Sequence, residues 1–436
     1  MSDREPPAGA VPSATPSDAP GASGTASGPA DSTARATFVK ARRGSLLGAI
    51  FLMATSAIGP GFITQTAVFT QALGAAFAFG ILASIVIDFV VQANIWRIVT
   101  VSGKRAAELA NAAIPCSGYV LAALVVFGGL VFNIGNIAGA ALGLNALLGL
   151  DPKVGGALSA LLAIAIFLVR RAGMLMDRAL VGLGLLMIVL TAVVAVLADP
   201  PVGEALRQTV LPDTVDFAMI TTIVGGTVGG YITYAGAHKL LDAGVSGPEH
   251  VREVTRSAFF GIGVTGVMRF VLFLAFLGVV ASGVTLDVAG NPAGDAFAAA
   301  AGELGMRLFG LVLWAAGISS VIGAAFTSVS FTSVFSARIE GRVRNWTTVG
   351  FIAVGTVSYL ALGTAPAALL VFAGGFNGLI LPIGFTVFMY VAWFRRDLLN
   401  GYRVPLWLRV AGVLVTVMSW YMGAVSFTAI FDFLAA

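Results

Sequence analysis

Two apolar segments of membrane-spanning length are interrupted near their middles by almost the same residues. The first interruption is Gly59-Pro60-Gly61-Phe62-Ile63-Thr64, and the second is Gly229-Gly230-Tyr231-Ile232-Thr233. Gly61 to Thr64 matches Gly230 to Thr233 residue for residue, with Phe exchanged for Tyr. Proline lacks a backbone N–H and clashes with the preceding turn, and glycine leaves the backbone loose, so neither suits the centre of a helix. A break facing lipid would leave backbone groups unsatisfied, so both breaks must face protein or a water-filled cavity. Interrupted helices at corresponding places in two halves of a chain point to the binding site of a transporter. The competing reading of the same glycines is close helix packing.

Composition places the whole chain in a bilayer. Of 436 residues, 58% are hydrophobic and 11% charged, against about 25% charged in a soluble protein. The single cysteine, Cys116, excludes an internal disulfide and a thiolate metal site. Histidine is confined to His238 and His250. No nucleophile–base pair or cofactor motif stands out, so the expectations are no enzymatic activity, no catalytic residue and no cofactor. The net charge of +4 is spread over loops and does not indicate a nucleic-acid partner; the partners expected are the lipid bilayer and a small-molecule substrate.

Residues 1 to about 40 are rich in Pro, Ala, Gly, Ser and Thr and carry no apolar period, which predicts a disordered tail. Apolar runs of about 20 residues mark membrane helices. Eleven are predicted within a transmembrane domain over about 45–431, at roughly 45–70, 74–96, 118–148, 154–170, 179–198, 216–241, 258–283, 306–335, 347–363, 366–394 and 405–431. The loops alternate in charge. Lys104–Arg105, Arg170–Arg178, Lys239–Arg256, Arg338–Arg344 and Arg395–Arg403 fall on one side with the N-terminal tail, and mostly acidic loops fall on the other. Lys and Arg collect on the cytoplasmic side, which predicts a cytoplasmic N-terminus and an extracytoplasmic C-terminus in the inner (plasma) membrane. The two interrupted helices then run in opposite directions. That is an inverted repeat of five helices (45–198) and five (216–394), with an additional helix at 405–431.

With these residues in place the chain resembles the Nramp family of divalent-metal transporters. Gly59-Pro60-Gly61-Phe62 stands where that family has Asp-Pro-Gly-Asn, with Gln92 and Gly103-Lys104 at matching spacing. Gly225-Gly226-Thr227-Val228-Gly229-Gly230-Tyr231-Ile232 stands at Gly-Ala-Thr-Val-Met-Pro-His-Asn, and Asn133-Ile134-Gly135-Asn136 at Asp-x-x-Glu. The resemblance implies an all-α membrane protein with the LeuT-like fold and secondary active transport. The family's metal-binding Asp, Asn and Met are here Gly59, Phe62 and Gly229, and its helix 6 histidines are Tyr231 and Gly236. None of Gly59, Phe62 and Gly229 offers a side-chain ligand to a divalent cation, so no metal site is expected. The stretch 54–66 is similar to a bacterial Nramp-related branch often encoded beside 5-oxoprolinase-type genes, which implies an organic solute.

The sequence therefore predicts a widened, uncharged pocket at the two breaks. Half-helix N-termini are ready anion sites, which suits a small carboxylate such as 5-oxoproline or an amino-acid-like solute. The candidate binding residues are Gly59, Pro60, Gly61, Phe62, Gln65, Gly229, Gly230, Tyr231, Asn133, Asn136 and Asn377, the last in a third glycine-rich interruption at Gly374–Gly378. Asp88 and Arg269 are the two charges deep in apolar segments. They are expected to pair with each other or with separate partners, and are the candidates for coupling to protons. His238, near the end of its helix, is expected to be solvated or to cap. A divalent-metal transporter for Mg2+ or Mn2+ and a non-transporting sensor are the competing functions.

Overall fold

The computed structural model describes residues 59–336 and 341–432, with only the backbone described for 170–181. The predicted tail, and residues 45–58 of the first apolar run, lie outside the described residues. Among the described residues fourteen α-helices follow in order: α1 Pro60–Leu73, α2 Phe77–Ser102, α3 Ala106–Ala113, α4 Ser117–Leu148, α5 Pro152–Leu168, α6 Arg170–Leu197, α7 Val202–Val210, α8 Phe217–Thr227, α9 Ile232–Asp242, α10 Val251–Ala281, α11 Pro292–Phe331, α12 Gly341–Leu362, α13 Pro366–Phe394 and α14 Leu406–Asp432. Local chemistry sets several boundaries. Pro60, Pro152 and Pro292 open helices, where a missing N–H costs nothing. Asp151 and Asp216 accept backbone N–H groups at the starts of α5 and α8. Gly103 and Gly149 close α2 and α4 at positive φ.

Each of the eleven predicted runs carries helix. By length and apolarity alone, seven helical stretches among the described residues can cross a membrane, or eight if the bent pair α6–α7 counts as one. The difference has local causes. The stretch Pro60–Ser102 joins the first two runs, α5 has 17 residues, and the sixth run is split into α8 and α9. Three short elements escaped prediction because their apolar faces are only a turn or two long: α3, α7 and the first part of α11. The chain turns by 108° into α7 after Pro200-Pro201, and α11 is broken at Gly302, where φ is 66°.

Hydrogen bonds sort the loops into two groups. At one end, Gly247 N–H donates to Thr100 O, Asn400 Nδ2 to Val101 O, Arg395 Nη1 to Ala113 O, and Arg105 pairs with Asp242. At the other end, Asn291 Nδ2 donates to Leu142 O, Tyr359 Oη to Pro152 O, and Leu286 N–H to Gln71 Oε1. The basic loops after α2, α9 and α13 thus share one end, as an alternating path through a bilayer requires.

Small residues set the packing. A Cβ on Gly317 of α11 would come within 2.8 Å of Ala140 in α4, and one on Gly310 within 2.6 Å of the Leu147 nitrogen. Without hydrophobic drive between helices in lipid, such close backbone approach supplies the van der Waals contact that holds them together. Leu161, Val189, Val196, Val267 and Val357 project outward and exposed, as lipid-facing side chains do.

Candidate binding site at the two helix breaks

The second break is complete in the structure. α8 ends at Thr227, α9 begins at Ile232, and Gly230 between them has φ +54°. The N–H groups of Val228 and Gly229 both fall back on Val224 O, and Ile232 N–H reaches Gly229 O. The left-handed conformation at Gly230 strains any residue with a Cβ, so its glycine is required by the turn. At the first break Gly59 is extended (φ −68°, ψ −179°) and caps α1. Pro60, Gly61 and Phe62, expected to be unwound, form the first turn of α1 instead. Proline at the first helical position ends the break there. α1 and α9 thus both start at the break region, with Ile63 N–H on Gly59 O and Ile232 N–H on Gly229 O in their first turns.

The expected wide pocket is not what the glycines make. A Cβ on Gly229 would lie 2.8 Å from Asn377 O and 2.6 Å from Gly225 O, and one on Gly225 would overlap Gly374 O and the Gly378 nitrogen. Removing side chains has let α8 and α13 close onto each other. For the same reason Gly374-Gly375-Phe376-Asn377-Gly378 is no third interruption: α13 is helical from Pro366 to Phe394, and its glycines form a contact strip.

Into this contact the amides insert. Gln65, fully buried, donates from Nε2 to Leu370 O at 3.1 Å. It occupies room left by Gly226 and Gly374, where added Cβ atoms would meet its side chain. Asn377 Nδ2 donates to Gly128 O at 3.0 Å and Ala373 O at 2.9 Å, and a Cβ on Gly230 would overlap its Oδ1. Gln65 Oε1 and Asn377 Oδ1 receive no hydrogen bond. Tyr231, buried, meets the Phe132 ring edge-on at 5.6 Å.

α4 shows which of its amides face the breaks. Gly128 faces Asn377, Phe132 faces Tyr231, and Gly139 faces Pro60. That stripe recurs at helical spacing. Asn136 lies at its edge, one turn from Phe132, with Nδ2 unpaired. Asn133 points elsewhere: its Nδ2 would be 3.4 Å from a Cβ on Gly355 in α12. The structure therefore separates Asn133 from the other candidates.

Asp88 and Arg269 do pair, and at the site. Arg269 Nη1 of α10 lies 2.5 Å from Asp88 Oδ2 of α2, with both side chains fully buried. Thr227, the last residue of α8, donates its hydroxyl to Asp88 Oδ1 at 2.8 Å. The Arg269 guanidinium stands 5.1 Å from the centroid of the Phe62 ring in the first turn of α1. The ion pair thus ties α2 and α10 to both breaks. Nε and Nη2 of Arg269 have no hydrogen-bond partner. An unsatisfied buried donor costs about 1–3 kcal/mol, more for a charged group.

Two residues here were missed as site candidates. Thr227 was visible only as the polar end of Gly225-Gly226-Thr227. Gln92, one helical turn from Asp88, is fully buried with both amide atoms unpartnered. Gly236 accommodates the Trp96 ring, and Trp96 Nε1 donates to Thr233 O at 2.9 Å. His238 is buried rather than solvated, and its Nε2 accepts the Ala106 N–H at the start of α3. It caps a neighbouring helix. Among the described residues no three His, Cys, Asp or Glu side chains are grouped so as to hold a metal ion.

The family model described as "Natural resistance-associated macrophage protein-like", Nramp, matches residues 50–428. The membrane protein YcsG of Bacillus subtilis (strain 168) is 51% identical over 378 residues, covering 87% of this chain and 93% of that protein. A membrane protein of Haemophilus influenzae is 52% identical over 377 residues, covering 86% and 94%. Among solved structures, an Eremococcus coleocola manganese transporter in complex with an aromatic bis-isothiourea substituted compound superposes with a TM-score of 0.71 at 16% identity, covering 88% of this chain and 86% of its own. MhsT in complex with L-phenylalanine superposes with a TM-score of 0.57 at 16% identity, covering 89% and 98%. These likenesses show the fold: all-helical, Nramp-like and LeuT-like.

Proposed function

The chain belongs to the Nramp family of membrane transporters, and from that premise we propose that its cargo is a small organic carboxylate, 5-oxoproline or an amino-acid-like acid, moved by secondary active transport. One observation carries the reading. The room that a methionine at position 229 would need is filled by the Asn377 carbonyl and the α8 backbone, so the metal donor is not merely absent but replaced. Gly59 and Phe62 add no donor, and the group beside the Phe62 ring is the Arg269 guanidinium, which takes anions as partners, as its pairing with Asp88 shows. Two half-helix N-termini and a buried arginine instead favour an anion. The fold itself is neutral between cargoes: one neighbour is a manganese transporter, another is held in complex with L-phenylalanine. Phe62 and Tyr231 would line the apolar part of the solute, and Gln65, Asn136 and Asn377 would supply neutral hydrogen bonds.

The coupling ion in this reading is the proton, with Asp88 as its carrier. The protein sits in the inner membrane with its N-terminus cytoplasmic. A second reading rests on the unpaired oxygens of Gln65 and Asn377, neutral acceptors of the kind a hydrated Mg2+ or Mn2+ would use. Uptake into proteoliposomes separates the two. Labelled 5-oxoproline and related acids should accumulate under an inward proton gradient, while Mn2+ and Mg2+ should not. Metal uptake without carboxylate uptake would refute the organic-solute reading.

A further inference from the structure

We infer that Arg269 is the carboxylate receptor of this site and that Asp88 occupies it as a displaceable internal counter-ion, so that each substrate anion enters together with one proton. The inference rests on the carboxylate reading above and goes beyond it, because it assigns the receptor, the exchange and the charge balance.

Three observations carry it. First, Arg269 is fully buried yet spends only Nη1 on Asp88; Nε and Nη2 are unpartnered. A guanidinium binds a carboxylate best through two parallel N–H groups, so a bidentate partner is missing. Second, the guanidinium lies beside the Phe62 ring, in the first turn of α1, at 5.1 Å. The guanidinium therefore stands beside the N-terminal turn of α1, whose end of the helix dipole favours an anion. Third, the other Asp88 oxygen is held by Thr227, the residue at which α8 ends. Movement of the break and release of Asp88 are mechanically joined.

The exchange balances. With the site empty, Arg269 (+1) and the Asp88 carboxylate (−1) sum to zero. When a monocarboxylate takes Arg269, Asp88 loses its partner inside protein, where an unpaired carboxylate is costly. It takes one proton, drawn from water as the site opens, and becomes the neutral acid, still hydrogen-bonded to Thr227. The loaded site again sums to zero, and transport of one monoanion with one proton is electroneutral.

Among the described residues the charged neighbour of Asp88 is Arg269. On the other elements against α2, Glu204 pairs with Arg207 in α7, Asp242 with Arg105 and His238 with the Ala106 N–H in α9, and Arg409 with the Trp393 ring in α14; α9 also carries Tyr234, against Phe331 and Phe388, and Lys239, and the remaining charges of α10, Arg252, Glu253 and Arg256, lie in its first two turns. α1 and α8 carry no ionisable side chain, and α13 carries Tyr390, which stacks on Phe394. Within α2 itself, Arg97 donates to Thr255.

The test is calorimetry on the purified full-length chain, titrated with a panel of monocarboxylates headed by 5-oxoproline, in two buffers of different ionisation enthalpy. The native chain should take up one proton per anion bound, and Asp88→Asn should bind without proton uptake. The charge-neutral double variant Asp88→Asn/Arg269→Gln leaves no unpaired buried charge. It should bind the anion roughly ten- to a hundred-fold more weakly, while the uncharged amide of 5-oxoproline binds both proteins alike. Anion binding with no proton uptake, or undiminished binding by the double variant, overturns this inference and leaves the carboxylate reading standing. Failure of the native chain to bind any acid in the panel removes both. The proton count is read on the native chain, so it decides the matter even if a variant does not fold.

Discussion

Gly61 and Gly230 occupy matching positions in the two breaks, and replacing each by alanine should have opposite effects on stability. Gly230 has φ +54°, and a Cβ there would overlap Asn377 Oδ1. The left-handed backbone costs an alanine roughly 1–2 kcal/mol. Asn377 must also move, and its two hydrogen bonds to Gly128 O and Ala373 O are worth about 0.5–1.5 kcal/mol each. The sum is about 2–5 kcal/mol of destabilisation. Gly61 is helical, and among the described residues its Cβ would meet only Gln65 Nε2, at 3.8 Å. Gly61→Ala removes backbone entropy and should stabilise by about 0.5–1 kcal/mol. Thermal unfolding of both variants, followed by monodispersity in detergent, should show Gly230→Ala well below the native protein and Gly61→Ala level with it or above. A Gly230→Ala protein as stable as native, or a Gly61→Ala protein that falls as far, would refute the steric argument. Uptake divides differently: Gly61→Val, which places bulk in the first turn of α1, should abolish transport in a folded protein.

Further outcomes follow from the same contacts. Reinstating the family ligands as Gly59→Asp, Phe62→Asn and Gly229→Met should not restore Mn2+ binding by calorimetry, because the methionine meets Asn377 O at 2.8 Å and drives α8 from α13. Arg269→Gln alone should destabilise by about 3–5 kcal/mol, since it strands a buried carboxylate, and adding Asp88→Asn should recover most of that loss in a thermal-shift series. Gly236→His should fail to give folded protein in size-exclusion profiles, because a side chain there collides with Trp96. Tyr231→Phe should raise the apparent Kd for the solute roughly two- to ten-fold, as one neutral hydrogen bond requires.

The sequence by itself determined the membrane class, the run of helices and the break between Thr227 and Ile232, because each is written in short-range chemistry. Apolar runs near 20 residues have few alternatives in lipid, loop charge follows the alternation of sides, and the left-handed turn at Gly230 suits glycine alone. Asp88 and Arg269 were also legible as a pair, since two isolated charges in apolar segments must find partners. What only the tertiary structure decided is what the glycines are for. Gly229 looked like a lost ligand and a wider pocket; it is a contact through which α13 reaches α8, and Gly374–Gly378 is the other half of that contact rather than a break. Asn133 and Asn136 are three residues apart in sequence, yet the rotation of α4 places one beside Gly355 and the other at the edge of the site. Thr227 could not be recognised until the end of α8 met α2, 139 residues away in sequence. A glycine records only that a side chain is missing, and which neighbour uses the room depends on how the helices meet.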